Sequence, residues 1–440
     1  NIFYCLSILL WLAKGRAHLK YQLSKRVDIP VATLPVNTEF LKYLQTQKKK
    51  NRKLILISAS SQKAVDQIKS HMKIFDAAFG SDANVNLKGK TKLEKIKMLT
   101  DGKSFAYAGN SRVDAVIWNE ASQAIIVNCE VKATNSKKFE NALRFDPPEP
   151  ALGQLLRSVR PHQWLKNLLV FIPLILSHQL SDTGLISVLF VTFISFSLCA
   201  SSVYLMNDLF DLEHDRNHLS KFNRPFASGN LSIVTGLIAG PCLFTLGAIT
   251  AFYLPFNFLI VFFAYGLINF AYSFYLKKIF MLDVVVLAFL YTLRIIAGAE
   301  SIELQPTFWL LGFSFSLFLG LAMVKRVAEL FNVISAGNKK IEGRAYSKDH
   351  MSFLSITGVL STAIAVAIFA FYITDPKTTE LYSAPLFLWA IFPLLSYLLF
   401  RIWKNALKGE MSEDPVLFAL TDRVGQILVV CCGIILWFAS

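Results

Sequence analysis

Apolar stretches long enough to cross a lipid bilayer recur about nine times after Arg157, near residues 165–182, 185–206, 231–251, 255–275, 281–299, 307–325, 351–373, 384–402 and 423–439. The hydrocarbon core is about 30 Å thick and takes about 20 apolar helical residues to span. Lipid offers no partner for backbone N–H and C=O groups, so runs of this length must close their hydrogen bonds within helices. The sequence therefore predicts an all-α polytopic membrane bundle of about nine transmembrane helices over residues 157–440. Composition agrees, because 54% of the 440 residues are apolar and 37 of all residues are Phe, which excludes a purely soluble chain.

The net charge of +15 raises nucleic acid as a partner. Lys and Arg are not gathered into one aromatic-interleaved patch, however, so no nucleic acid is expected. They collect instead in the second, fourth, sixth and eighth connections between the apolar runs. Inside-facing loops carry the Lys and Arg excess, which puts those connections and the N-terminal domain on the cytoplasmic side of an inner or plasma membrane. The six cysteines form no CxxC pair and have no histidines at zinc-finger spacing, so they read as reduced thiols. The run Ile2 to Leu12 is too short to span and lacks the flanks of a signal peptide. It reads as one side of a soluble helix.

The second connection interrupts the apolar pattern with NDLFDLEHDRNHLSKFNRPFASGN, Asn207 to Asn230. If the preceding helix continues to Arg216, Asp208, Asp211 and Asp215 lie at about 100°, 40° and 80° around its axis, on one face. Carboxylates held that close repel unless a hard cation bridges them, and magnesium takes one or two such ligands together with phosphate oxygens. The three aspartates are thus the expected catalytic acids and Mg2+ ligands, with Lys221 and Arg224 supplying positive charge for a diphosphate. The plain alternative is a solvated, charged loop. The fourth connection carries Tyr272, Lys277 and Lys278, and Asp283 opens the next run, where a carboxylate is costly unless it is paired or ligates a cation. Arg294, nearly on the same face, also demands a partner, either an ion pair within the bundle or a bound phosphate. Lys325 and Arg326 open the sixth and most basic connection, and Arg344 and Tyr346 near its end are placed to close over a site.

The NDxxDxxxD pattern from Asn207 to Asp215 resembles the first aspartate-rich motif of the UbiA superfamily of intramembrane prenyltransferases. RPHQWLKNLLVF from Arg160, KFNRPFASG from Lys221, YSFYLKKIFMLD from Tyr272, KRVAEL from Lys325 and DPVLFALTDR from Asp414 are similar, as an ordered set, to the decaprenyl-phosphate phosphoribosyltransferase branch. The resemblance implies transfer of 5-phosphoribose from phosphoribosyl diphosphate to a polyprenyl phosphate lipid, with release of diphosphate. It implies substrate-binding positions at Lys166, Asn207, Lys221, Arg224, Tyr272, Lys277, Asp283, Arg294, Lys325 and Arg326. Relatives that use prenyl diphosphates place two acids in the second motif, whereas Asp283 stands nearly alone beside lysines. That departure favours one diphosphate sharing a site with a monophosphate. Two other readings stay open, an isoprenyl transfer onto an aromatic or other small acceptor and a non-catalytic membrane transporter or scaffold. A homo-oligomer is open as well.

Residues 1–130 have soluble composition and alternate strand-like with helical patterns. KLILIS from Lys53, SFAYA from Ser104 and AIIVNC from Ala124 read as buried parallel strands, with helices at Gln62 to Met72 and Lys90 to Leu99 between them. That rhythm predicts an α/β Rossmann-like domain with its ligand site at the carboxyl ends of the strands. Ser58 in LISAS, Lys92 in LKGKTK and Asn110 to Asp114 in GNSRVD resemble the second, third and fourth motifs of the haloacid dehalogenase superfamily of phosphohydrolases. The resemblance implies phosphoryl binding by Ser58 and Lys92 and magnesium binding around Asn110 and Asp114. The DxD nucleophile motif is absent from these residues and Asn110 replaces an acid, so the domain as given is expected to be inactive. The chain opens on Asn1 rather than a methionine, so an upstream piece is expected to be missing; a restored N-terminus would allow a phosphatase. Residues 131–156, rich in Lys and Asn and ending near DPPEP, read as a linker.

Overall fold

The strand-and-helix rhythm of the N-terminal part becomes two parallel ladders. The computed structural model describes residues 2–13, 15–129, 141–146, 150–218, 221–335, 337, 340, 341, 343–411 and 414–439. One unit comprises Asn1–Ser158 together with Asp208–Ile233, and a second comprises Val159–Asn207 together with Val234–Ser440. The division falls between Asn207 and Asp208, inside the helix Thr183–Phe210.

In the first unit, β1 (Ile55–Ser61) pairs in parallel with β2 (Ala77–Ser81), in the register Ile55 to Ala77. The strands β3 (Ala106–Gly109), β4 (Gln123–Val127) and β5 (Leu143–Phe145) form a second parallel ladder in the order 3-4-5. Parallel pairing needs a crossover, supplied between β1 and β2 by the helix Gln62–Met72. That helix starts where the Ser61 side chain accepts from Ala64 N and stops at Lys73, in the left-handed region at φ 54°. Leu93 and Ile96 of the helix Lys90–Thr100 bury against Ile117, Ile57 and Tyr107, while Trp118 buries against Ala124 and Ile126. β2 and β5 were not expected. β2 reads AAFGS, without an apolar run, and β5 is three residues long, too short to show a period. β5 and the helix Ala151–Val159 also occupy part of the stretch 131–156 read as a linker. Residues 130–140 and 147–149 of that stretch lie outside the described residues.

Seven helices among the described residues are long and apolar enough to cross a membrane: Thr183–Phe210, Ile233–Ala251, Phe256–Phe274, Leu282–Ser301, Phe308–Ser335, Lys348–Thr374 and Pro385–Lys408. Of the about nine runs expected, the first and the last are not among these seven. Arg423–Ala439 is apolar and has 17 described residues, at the lower end of the lengths that span a bilayer. The run at 165–182 folds as a 3-10 helix, Pro161–Phe171, followed by the short α-helix Ile172–Leu176. Pro161 and Pro173 each lack a backbone donor, and side chains of the 3-10 segment are bound to the helix beside it. Three residues of a 3-10 helix and four of an α-helix both rise about 6 Å. Trp164 and Asn167 therefore meet Ser201 and Ser197 in step: Trp164 Nε1 donates to Ser201 Oγ at 2.9 Å, and Asn167 Nδ2 to Ser197 Oγ at 3.0 Å.

The helix Leu282–Ser301 is the most enclosed of the seven, with Val284, Ala288, Ala297 and Ala299 fully buried. Small residues let a neighbour's backbone approach closely. At Gly298 the approach is extreme, since a Cβ there would sit 2.0 Å from the carbonyl oxygen of Val170. Gly298→Ala must push the 3-10 segment away, and should cost about 1–3 kcal/mol, seen as a lower unfolding temperature in detergent.

Candidate active site

The aspartate-rich loop belongs to the first unit. The helix expected to continue to Arg216 ends at Phe210, turns at Asp211 and resumes as Leu212–Asn217. The turn still brings two of the three acids together, Asp208 and Asp215, each with a side chain only 2% exposed. Between them lies Arg224, whose Nη1 is 3.0 Å from Asp208 Oδ1 and 2.7 Å from Asp215 Oδ2. Two desolvated carboxylates this close need a cation, and here the guanidinium is that cation. Burial raises the Asp215 carboxyl above its ordinary pKa against the pull of Arg224, and the charge of Asp208 adds to the rise. Arg224 is held in place by the loop's own turns, with Arg224 N donating to Lys221 O and Ser228 N to Arg224 O, both at 2.9 Å, over the buried Phe226 and Ala227.

The expected triad of metal ligands is thus corrected. Among the described residues no three His, Cys, Asp or Glu side chains converge at metal distance, because the chain turns at Asp211 before reaching Asp215. The pair itself fits a divalent cation. Both carboxylates approach one point, the position of Arg224 Nη1, and magnesium needs only one or two carboxylates beside phosphate oxygens. Asp208 and Asp215 would hold the ion, with Arg224 displaced from between them.

The second unit holds another charged cluster, built around Asp283. This carboxylate is fully buried at the start of the helix Leu282–Ser301 and is not alone. Arg326 Nε lies 2.8 Å from Asp283 Oδ2, an ionic contact without hydrogen-bond alignment. Arg344 Nη1 donates to the same oxygen at 3.3 Å, and the Tyr346 hydroxyl donates to Oδ1. Glu329 balances the second positive charge, pairing with Arg326 three residues earlier on the same helix and lying 3.6 Å from Arg344 Nε. Tyr272 accepts from Arg326 at 3.4 Å and from Arg344 at 3.2 Å. Burial, then the charge of Asp283, keeps the Tyr346 proton on, its pKa well above the usual phenol range. Tyr346→Phe removes a donor to a charged acceptor and an acceptor for Met281 N, so a loss of about 1.5–3 kcal/mol is expected, measured by thermal unfolding in detergent.

Other expected positions divide by environment. Lys166 pairs with Asp414 and lies 6.0 Å from the Tyr291 ring. Lys277 Nζ is 3.4 Å from Asn207 Oδ1, and Lys325 is half-buried one position before Arg326. Arg294 meets no carboxylate among the described residues: it donates to Asn167 Oδ1 at 2.9 Å, Leu290 O at 2.6 Å and the Tyr265 hydroxyl at 2.7 Å. Its guanidinium also lies 5.0 and 5.1 Å from the Tyr265 and Tyr291 rings, a cation–π arrangement. The expected face shared by Asp283 and Arg294 does not join them in one cluster. Sequence reasoning missed Glu329, although its i,i+3 spacing from Arg326 was a usable signal. Asp414, visible in the sequence, carried no role there.

In the α/β part of the first unit, Lys92 and Asp114 do come together. Lys92 Nζ is 3.4 Å from Asp114 Oδ1, and the unforeseen Tyr107 hydroxyl lies 3.0 Å from both. The backbone N–H groups of Asn110 and Ser111 donate to Asp114 Oδ2 at 3.3 and 3.1 Å. Asn110 therefore enters through its backbone, not its side chain. Burial, then Asp114, raises the Tyr107 pKa well above the usual range. Ser58 Oγ accepts from Ser60 N at 3.1 Å, a local turn separate from these contacts.

Residues 170–427 match the family described as UbiA prenyltransferase family. Over 420 residues the chain is 34% identical to "Uncharacterized protein y4nM" of Sinorhizobium fredii, covering 94% of this chain and 81% of that protein. It is 33% identical to "Nodulation protein NoeC" of Azorhizobium caulinodans, covering 63% of this chain and 89% of that protein. It is 30% identical to "Decaprenyl-phosphate phosphoribosyltransferase" of Mycolicibacterium smegmatis, covering 64% of this chain and 91% of that protein.

Proposed function

The chain belongs to the UbiA prenyltransferase family and is an integral membrane transferase, and from that premise we propose that it moves 5-phosphoribose from phosphoribosyl diphosphate to the phosphate of a polyprenyl phosphate. The observation that carries this reading is the charge arrangement around the two acidic motifs. The first motif offers a cation-binding acid pair, Asp208 and Asp215. The second is already neutralised by arginine, since Asp283 is engaged by Arg326 and Arg344. An isoprenyl diphosphate donor would favour a second metal-bound acidic motif; an arginine-rich cluster suits a phosphate monoester. The relative named for phosphoribosyl transfer points the same way.

In the proposed reaction the bond between the ribose anomeric carbon and the diphosphate oxygen breaks, and diphosphate departs with the bonding pair. A bond forms between that carbon and an oxygen of the lipid phosphate. The acceptor is already an anion, so no general base has to take a proton. Magnesium, when bound, supplies electrostatic stabilisation of the leaving diphosphate. Asp208 and Asp215 hold and orient their ligand, and Arg224, released from them, clamps diphosphate oxygens together with Lys221. In the second unit Arg344 and Tyr272 are the groups proposed for a phosphate monoester, with Arg326 held by Asp283 and Glu329, while Lys277 and Lys325 add positive charge. Lys166 orients the lipid phosphate, and Asn207 and Arg294 keep the surrounding helices in register. The Lys and Arg of the connections that carry the two acidic motifs favour a cytoplasmic face for this chemistry.

The test is diphosphate release by purified protein in nanodiscs, supplied with phosphoribosyl diphosphate and a polyprenyl phosphate. Release that depends on the lipid phosphate supports the proposal. Turnover of an isoprenyl diphosphate onto an aromatic acceptor, with none of the first reaction, would replace it with the more general prenyl transfer. For the α/β part we propose a haloacid dehalogenase-like fold, on the meeting of Lys92 with Asp114 beside β3. With an aspartyl nucleophile it would remove the 5-phosphate from the lipid product, checked by phosphate release from that product.

A further inference from the structure

We infer that the α/β part of the first unit positions the aspartate-rich loop, through the segment Asp28 to Asn37 acting as a strut beneath it. The inference rests on the reading of Asp208 and Asp215 as a divalent-cation site. One end of the strut is tied to the helix Gln62–Met72: Asp28 lies 2.7 Å from Lys63 Nζ and accepts from Gln67 Nε2 at 3.4 Å. The other end is tied by Asn37, which caps the following helix through Phe40 N and donates to Asn128 Oδ1, both at 2.9 Å. Between these anchors the short 3-10 turn Val31–Thr33 packs on two elements at once, the helix Gln62–Met72 and the helix Leu212–Asn217 that carries Asp215. Pro30 and Pro35 bracket the turn and stiffen it.

The contact with the loop is close enough to dictate residue type. Gly229, at φ +75°, faces Pro35 so tightly that a Cβ there would lie 2.8 Å from Pro35 Cγ and 3.1 Å from Pro35 Cβ. The loop needs such support. Leu212–Asn217 is a six-residue helix, far below the length at which a helix holds itself together in water. Yet it must keep Asp215 against Asp208 with both side chains desolvated, and sites of this kind tolerate only about 0.5 Å of play. Val31–Thr33 and Pro35 are therefore positioning residues: they touch no substrate and act through the backbone that carries Asp215.

The test uses the full chain in nanodiscs. A Pro35→Cys, Gly229→Cys double variant should form a disulfide under mild oxidation, because the loss of the proline ring relieves the contact and the 3.1 Å Cβ separation has only to open by a few tenths of an ångström to reach the disulfide range of about 3.5–4.5 Å, with the linked peptides identified by mass spectrometry. Mn2+ binding, read by electron paramagnetic resonance, gives the second readout. Pro35→Ala, a change at an exposed position, should weaken Mn2+ binding about three- to tenfold and speed amide exchange across residues 211–218. The cross-linked form should bind Mn2+ as the wild type does. Failure of the 35–229 cross-link overturns the inference, as does Pro35→Ala that leaves Mn2+ binding and exchange unchanged, or a wild type that binds no Mn2+. Loss of the phosphoribosyl reading leaves these outcomes intact, since none of them is measured by transfer activity.

Discussion

Asp208→Asn lowers lipid-dependent diphosphate release between about a hundred- and a thousand-fold, the usual cost of removing one electrostatic element from a preorganised site. The substitution keeps the size of the side chain and leaves Asp215 bonded to Arg224, so the fold is preserved and the unfolding temperature changes little. The loss falls on kcat, because the charge on diphosphate grows as the anomeric bond breaks. Asp215→Asn should behave alike, since both acids meet the same guanidinium nitrogen. Glu213→Gln is the control. It changes an exposed acid on the same short helix and should leave the rate within a factor of about two. Equal losses from Glu213→Gln and Asp208→Asn would mean that the loop contributes only its overall charge.

Asp283→Asn has the second large effect, and this one is on stability. It strips the carboxylate from Arg326, which is fully buried, and from Arg344. Breaking a buried pair from one side costs about 3–5 kcal/mol, because the remaining charge is left without compensation. Glu329 still contacts both arginines, which holds the loss toward the lower end. The double variant Asp283→Asn, Arg326→Gln removes the orphaned charge and should recover part of the stability. A denaturation series in detergent on the two single variants and the double variant measures the coupling. Purely additive losses would show that Asp283 and Arg326 are neighbours without being partners.

These two clusters also show how far the amino-acid order could be read. Span lengths and positions were largely legible, because bilayer thickness fixes a run length that hydropathy exposes directly. The 3-10 segment Pro161–Phe171 was not, since its apolar content imitates a span and its geometry is set by Ser197 and Ser201 on a distant helix. The aspartates were legible as a group by their helical spacing, but the turn at Asp211 was not. That turn converts three expected ligands into an acid pair closed by Arg224. Asp283 looked isolated because its partners Arg326, Arg344 and Tyr346 arrive from far along the chain; periodicity reports only neighbours on the same element. In the α/β part, β1, β3 and β4 were visible as apolar runs, whereas β2 and β5 lacked one. Tyr107 was hidden for another reason: nothing in its local sequence distinguishes a tyrosine in a strand from one whose hydroxyl joins Lys92 to Asp114.

The central claim is that a ribose 5-phosphate ends up on the phosphate of a membrane lipid. Mass spectrometry of the lipid extracted after incubation of the purified protein with phosphoribosyl diphosphate, magnesium and a polyprenyl phosphate reads this directly. The account requires a lipid heavier by one phosphoribosyl group, absent with Asp208→Asn. An unchanged polyprenyl phosphate, alongside prenylation of a small aromatic acceptor by the same preparation, would contradict it.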